Sequence, residues 1–100
     1  FKQRGKGSFF MSWSLVYSSK AVKQLKKLDK NVAKTITCWL DKNIDGITDP
    51  HLYGKALSAD KRGLWRYRVG TYRIICQLQN EKLVVLALAI GHRREVYAAR

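Results

Sequence analysis

The stretch GLWRYRVGTYR, residues 63–73, decides how this chain folds and where its charge lies. On both sides of Gly70-Thr71, large apolar residues alternate with arginines, which is typical of two strands joined by a two-residue turn. Glycine in the first turn position favours a type II′ turn, because that position needs a positive φ. The stretch therefore predicts a tight β-hairpin with a fixed register.

This register sorts the hairpin residues onto two faces. One face is apolar and suited to packing beneath helices; it pairs Val69 with Tyr72, Tyr67 with Ile74 and Trp65 with Cys76. The other face places Arg68 opposite Arg73, and Arg66 opposite Ile75. Like charges that face each other across strands destabilise a sheet by several tenths of a kcal/mol up to about 1 kcal/mol. We therefore predict a preformed phosphate site, with a merely solvated strand face as the alternative.

The rest of the chain predicts an α+β fold: a helix hairpin packed on a small, mostly antiparallel sheet, in the order β-α-α-β-β-β. The run LVVLALAI, residues 83–90, is apolar throughout and predicts a central strand covered on both faces. The expected elements are a strand at Ser12–Tyr17, a helix capped by Ser18 or Ser19 and broken at Asp29-Lys30, a second helix capped by Asn31 and ended by Gly46, an irregular connection at Thr48–Arg62, strands at Leu64–Val69, Tyr72–Gln79 and Lys82–Ile90, and two-residue turns at Gly70-Thr71 and Asn80-Glu81.

Residues 1–10 are expected to be a flexible tail or a remnant of an upstream reading frame, followed by one domain over residues 11–100. The start of the chain lacks the pattern of a signal peptide. Cys38 and Cys76 form no disulfide framework and are expected to be buried free thiols of a cytoplasmic protein.

The charge of the chain points to an anionic partner. Twenty basic residues against seven acidic ones give a net charge of +13, whose self-repulsion such a partner would relieve. Nucleic acid is the first candidate, an acidic protein the second and an anionic membrane surface a distant third. Most lysines lie in residues 1–60 and are expected to form a solvated surface, whereas seven of the eight arginines lie in residues 61–100. Arginine binds phosphate bidentately and stacks on bases, so this half is expected to hold the specific site.

A second basic segment, GHRREVY at residues 91–97, follows the last strand. Because that strand runs antiparallel to its neighbour, its end is expected to return beside Arg73. His92, Arg93, Arg94 and Tyr97 would then join the hairpin arginines. Guanidinium groups with one imidazole and one phenol suit charge stabilisation, proton transfer and base stacking at a phosphodiester. Lys61 and Arg62, just before the hairpin, and Arg94 are expected to add RNA contacts.

Over residues 12–97 the chain resembles the RelE/ParE superfamily of type II toxin–antitoxin toxins, and within it the RelE-like mRNA interferases. The specific part is WRYRVGTYRIICQLQNEKLVVLALAIGHRREVY, residues 65–97. The resemblance implies a ribosome-dependent endoribonuclease that cleaves mRNA in the ribosomal A site, by attack of a ribose 2′-hydroxyl on the adjacent phosphate. It also implies the catalytic set Arg66, Arg68, Arg73, Arg93 and Tyr97, and a partly helical, acidic, RelB-like antitoxin as partner.

One departure from the family affects the predicted chemistry. RelE itself has lysines at the positions of Arg66 and Arg68, and one of those lysines is considered a general base. A guanidinium group stays protonated and is a poor base. Either His92 transfers the proton, or catalysis rests mainly on positioning and charge stabilisation.

No metal or other cofactor is expected, because the two His and two Cys lack the spacing of metal ligands. Two alternatives to the nuclease remain open at this stage. The first is a ParE-like toxin that binds and inhibits DNA gyrase without nuclease activity. The second is a basic RNA-binding or ribosome-associated module.

Overall fold

The computed structural model describes residues 12–57 and 63–92 and has the expected α+β architecture. Two helices pack on a five-stranded sheet with the strand order β1-β5-β4-β3-β2, in which β1 and β5 are parallel and the other neighbours are antiparallel. The elements are β1 (Ser14–Tyr17), α1 (Ser19–Lys27), α2 (Lys30–Asn43), a 3₁₀ helix (Pro50–Leu52), β2 (Lys55–Ala56), β3 (Leu64–Val69), β4 (Tyr72–Gln79) and β5 (Val84–His92). Neither helix in these residues has the length and apolarity to cross a membrane.

The β3–β4 hairpin has the predicted register. Val69 pairs with Tyr72 and Arg68 with Arg73, and Gly70 has a φ of 62°. This positive φ at the first turn position agrees with the predicted type II′ turn. The predicted sorting of side chains onto two faces is therefore confirmed for the hairpin.

The helices cover the apolar face of the sheet, with α1 over β5 and α2 over β3. Tyr67, Ile74 and Cys76 are fully buried in the core beneath them. Their helical and strand neighbours in that core are Ala21, Ile36, Leu40, Ile44, Val85, Ala87 and Ile90. Burial of these side chains is the main favourable term that holds the two layers together.

Both helix caps involve residues from the predicted junctions. The Ser18 hydroxyl oxygen accepts a hydrogen bond from the Ala21 amide at 3.0 Å, as predicted for the first helix. The prediction that Asn31 caps α2 is wrong, because the Asp29 carboxylate accepts from the Asn31 amide at 2.9 Å and the helix begins at Lys30. A carboxylate in the cap position satisfies a free amide of the first turn and also complements the helix dipole.

The turn between β4 and β5 is longer than predicted. Gln79 pairs with Val84, so the connection has four residues, 80–83, instead of the two-residue turn at Asn80-Glu81. The Lys82 and Leu83 amides donate to the carbonyl oxygens of Gln79 and Asn80, and Leu83 has a φ of 54°. These local hydrogen bonds replace strand pairing, so β5 starts two residues later than predicted.

Strand β5 lies inside the sheet, between β1 and β4, as its apolar sequence predicts. Within residues 12–57 and 63–92, however, the helices cover one of its faces and leave the other without a helix. Val85, Ala87 and Ile90 are buried there, whereas Val84, Leu86 and Leu88 on the other side are partly exposed. The prediction that both faces are covered is therefore wrong.

The predicted irregular connection after α2 contains the 3₁₀ helix and the short strand β2. Two side chains of β3 hold it in place. The Tyr67 hydroxyl donates to the Pro50 carbonyl oxygen at 2.8 Å, and the Trp65 indole nitrogen donates to the Tyr53 carbonyl oxygen at 2.7 Å. Burial raises the pKa of the Tyr67 hydroxyl, which therefore stays protonated as a donor at neutral pH.

Gly54 lets this connection lie directly against β3. It has a φ of 76°, and a Cβ atom added there would collide with the Arg66 carbonyl oxygen, the Trp65 indole and the Tyr67 ring. Gly70 has a similar φ of 62°, but a Cβ there would meet no atom within 4 Å. A comparison of substitutions at these two glycines therefore separates the cost of a positive φ from the cost of a steric collision.

We expect Gly54→Ala to be clearly more destabilising than Gly70→Ala. Both substitutions place a Cβ in the left-handed region, at a cost of about 1–2 kcal/mol, and only Gly54→Ala adds a collision that costs roughly 1–3 kcal/mol more. Urea unfolding of the two variants measures the difference. Equal losses would show that the connection does not rest on β3 at Gly54.

Candidate nucleic-acid interface

Three arginines of the hairpin lie on the sheet face opposite the helices, which we call the arginine face. Arg66 and Arg68 are two residues apart on β3, and Arg73 of β4 pairs with Arg68. Alternate residues of a strand point to the same side, so this register places all three side chains on one face. Strands β3, β4 and β5 contain no Asp or Glu that would neutralise them.

Arg73 is the unusual member of this face. It is 8% exposed, whereas Arg68 beside it is exposed. Within residues 12–57 and 63–92, no atom accepts a hydrogen bond from its buried Nε. Gly91, which pairs with Arg73 from β5, has no side chain to cover the guanidinium from that strand.

A buried Nε that lacks an acceptor is costly, since this N–H has lost water without gaining a hydrogen bond. The exposed Arg68 on the neighbouring strand adds like-charge repulsion to this cost. An anion bound between the two side chains would remove both terms. An anionic ligand with several acceptor oxygens, as a phosphate has, would satisfy this arrangement.

His92 does not join this face. It pairs with Tyr72, with their ring centroids 5.9 Å apart, and Tyr72 packs on the core beneath the helices. The cause is a β-bulge: Ile75 pairs with Ala89 but Cys76 pairs with Ala87, so Leu88 is an extra residue in β5. One extra residue reverses the facing of all later side chains in a strand. The predicted grouping of His92 with the arginines is therefore wrong.

The other predicted site residues lie outside the described residues. They are Lys61, Arg62, Arg93, Arg94 and Tyr97. The structure thus brings together Arg66, Arg68 and Arg73 from the predicted set.

A cavity of about 250 Å³ opens beside the arginine face, at the edge of β3 beyond the short strand β2. We call it the edge pocket. Its lining combines aromatic and cationic side chains with Gly54: Trp39, Tyr53, Gly54, Lys55, Arg66 and Arg68. Sequence analysis missed Trp39, Tyr53 and Lys55. The available signal was the run Tyr53-Gly54-Lys55, an aromatic and a cation around a glycine just ahead of the hairpin.

The two cysteines differ in their surroundings. Cys76 is a buried free thiol, as predicted, and burial raises its pKa, which keeps it protonated and inert. Cys38 is also free but exposed on α2, so the prediction of burial is wrong for it. Among the residues that the structure describes, no three His, Cys, Asp or Glu side chains cluster as metal ligands would.

Solved structures of toxins share this fold. The toxin–antitoxin complex RelBE2 of Mycobacterium tuberculosis matches with a TM-score of 0.72 and 23% identity, over 83% of this chain and 93% of that one. A free mutant of the Escherichia coli toxin RelE matches with a TM-score of 0.69 and 23% identity, over 88% and 93% of the two chains. The archaeal RelE–RelB complex of Pyrococcus horikoshii matches with a TM-score of 0.64 and 21% identity, over 83% and 97%.

Sequence comparison gives the same grouping. The chain is 24% identical to Toxin RelG of Mycobacterium tuberculosis over 87 residues, which cover 87% of this chain and 98% of that protein. The family model described as the ParE toxin of type II toxin–antitoxin systems, parDE, matches residues 15–97. The chain therefore belongs to this toxin family, within the RelE/ParE superfamily, and is a toxin of a type II toxin–antitoxin system.

Proposed function

We propose that this toxin is a ribosome-dependent, metal-independent endoribonuclease that cleaves mRNA in the ribosomal A site and so stops translation. The observation that carries the proposal is Arg73, a buried guanidinium without an acceptor for its Nε among the described residues, set opposite the exposed Arg68. A phosphodiester supplies the negative charge and the acceptor oxygens that this pair lacks. The likeness to RelE toxins supports the same reaction class.

The reaction requires charge stabilisation at one phosphate. The ribose 2′-oxygen attacks the adjacent phosphorus and gives its proton to a water molecule, and the bond from phosphorus to the 5′-oxygen of the next nucleotide breaks. The products are a 2′,3′-cyclic phosphate and a 5′-hydroxyl, whose oxygen takes up a proton. Arg68 and Arg73 would bind the non-bridging oxygens and stabilise the charge that grows on them, an effect worth several kcal/mol in a preorganised site.

Positioning and charge stabilisation are the main contributions in this proposal. Arginine is a poor base, and His92 lies on the helix-covered face of the sheet. Arg66, Arg93 and Tyr97 keep the roles that the family resemblance implies, namely phosphate binding, protonation of the departing 5′-oxygen and base stacking. Lys61, Arg62 and Arg94 are proposed as additional RNA contacts.

The proposed partners are the ribosome with its mRNA, and an antitoxin. Several of the similar structures are complexes of a toxin with a RelB-type antitoxin. The net charge of +13 suits a partly helical, acidic antitoxin that covers the basic surface. Such a toxin would act in the cytoplasm, where ribosomes are.

A second candidate is inhibition of DNA gyrase, because the matching family model is named for ParE toxins. Brief induction of the toxin, followed by mapping of mRNA 5′ ends with and without ribosomes, separates the two. New mRNA 5′ ends that lie within codons and form only when ribosomes are present would support the nuclease. A DNA-damage response without new 5′ ends would identify a gyrase inhibitor.

We expect Arg73→Met to lower mRNA cleavage by roughly 100-fold or more, since one donor to the developing charge is lost. The free protein should stay as stable or gain stability, because the repulsion between Arg73 and Arg68 disappears. Single-turnover cleavage on programmed ribosomes and urea unfolding measure the two effects. Lys82→Met, in the turn at the far end of β4, is the matched control. Full activity of Arg73→Met would exclude the arginine face as the site.

Arg68→Thr is expected to stabilise the free protein by several tenths of a kcal/mol up to about 1 kcal/mol, because threonine suits strands and removes the facing charge. RNA binding should weaken at the same time. The slope of log affinity against log salt should fall by about 0.7, the value for one phosphate contact on a single strand. Binding titrations at three salt concentrations measure this slope. An unchanged slope would show that Arg68 does not contact a phosphate.

A further inference from the structure

We propose that the edge pocket binds one nucleobase of the RNA, next to the nucleotide whose phosphate lies on the arginine face. The inference rests on the proposed function, since it assumes that the ligand is RNA. The pocket would stack the base on the accessible ring of Tyr53, while Lys55 and the neighbouring arginines hold the backbone beside it.

The aromatic part of the pocket is built from two elements. Trp39 extends from α2, and its ring meets that of Tyr53 edge-on, with the centroids 5.5 Å apart and the planes at 77°. The Trp39 ring also contacts the buried ring of Tyr67, with the two centroids 6.1 Å apart. Tyr53 is the accessible member of this group, at 40% exposure. Exposed aromatic rings beside a basic surface are the usual stacking platforms for single-stranded nucleic acids.

The pocket is held in shape by contacts that do not depend on a ligand. The hydrogen bonds from Trp65 to the Tyr53 carbonyl oxygen and from Tyr67 to the Pro50 carbonyl oxygen fix the connection to β3. Gly54 allows this close approach. Because the Tyr53 backbone is already fixed, binding loses less conformational entropy than it would on a free loop.

The size and charge of the pocket favour a base with its phosphate. Its volume of about 250 Å³ is below the range of about 300–1,000 Å³ that is usual for drug-sized ligands, so one planar ring system is the fitting occupant. Among the described residues, the charged side chains that line it are the cations Lys55, Arg66 and Arg68. An acidic peptide would satisfy the charges, but it would leave the accessible aromatic surface of Tyr53 without a stacking partner.

The edge pocket is continuous with the arginine face. Arg66 and Arg68 line the pocket, and Arg68 also pairs with Arg73. Same-face residues of a strand are about 7 Å apart, so a single strand of RNA reaches from one site to the other within a nucleotide or two. The pocket would therefore fix which nucleotide precedes or follows the cleaved bond.

A double-mutant cycle between protein and RNA tests the proposal. The probe is a hexanucleotide with 2′-O-methyl groups, which cannot be cleaved. It is compared with a series of the same hexanucleotide in which the base is removed at one position at a time. We expect Tyr53→Leu to weaken binding of the intact probe by roughly five- to one-hundred-fold. At one position, removal of the base should weaken binding to the unmodified toxin by a similar factor but have little effect on the Tyr53→Leu variant.

Two further variants sharpen the cycle. Leu52→Ala removes an exposed side chain, at 68% exposure, from the residue next to Tyr53 without touching the pocket, and it should bind the probe normally. Lys55→Ala should lower the salt slope by about 0.7 and leave the coupling with the missing base intact.

The assignment would be overturned if the Tyr53→Leu substitution and the removal of a base weakened binding independently of each other at every position. It would also be overturned if the unmodified toxin did not bind the probe at millimolar concentration. Normal binding of the probe by Tyr53→Leu, together with weaker binding of a glutamate-rich peptide, would assign the pocket to an acidic protein instead. Failure of this inference is distinguishable from failure of the proposed function. A toxin that cleaves mRNA on ribosomes but shows no coupling at Tyr53 retains its function and loses only the base site.

Discussion

The register of the β3–β4 hairpin is the constraint on which the rest of this structure depends. The Gly70 turn pairs Val69 with Tyr72, and every later pair of the two strands follows from that choice. A slip of one residue would turn the arginines into the core and expose Tyr67 and Ile74, so the buried face enforces the register. The same constraint that builds the core thereby collects the cations on the opposite side of the sheet.

On the arginine face, the proposed binding of a phosphate would oppose the stability of the free protein. Arg68 and Arg73 face each other although threonine or an acidic residue would suit the strands better, and Arg73 is buried as well. Functional sites often retain such locally unfavourable arrangements, which the rest of the fold must offset. In this protein the core between the helices and the sheet supplies that offset. The arginines lie on the other side of the sheet and do not pack against the helices.

Most of the fold follows from local sequence signals, and the parts that do not follow depend on distant contacts. The hairpin, both helices and the interior position of β5 were predictable from side-chain period, the Ser18 cap and a continuous apolar run. Strand β2 and the edge pocket were not, because Trp65 and Tyr67 create them through hydrogen bonds to a connection that carries no periodic pattern. The facing of His92 was also hidden, since the bulge at Leu88 has no glycine or proline to reveal it.

The position of β5 has a consequence for folding of the chain during its synthesis. Ser18 and its partner Leu88 are separated by 70 residues, and β5 is the one partner of β1 among the described strands. At a synthesis rate of about 5–20 residues per second, β1 and both helices wait several seconds for the strand that closes the sheet. A nascent or prematurely terminated chain that lacks β5 leaves β1 without its partner strand, and β4 then pairs with β3 alone among the described strands. The sheet beneath the two helices is therefore completed only when the last of these strands has been synthesised.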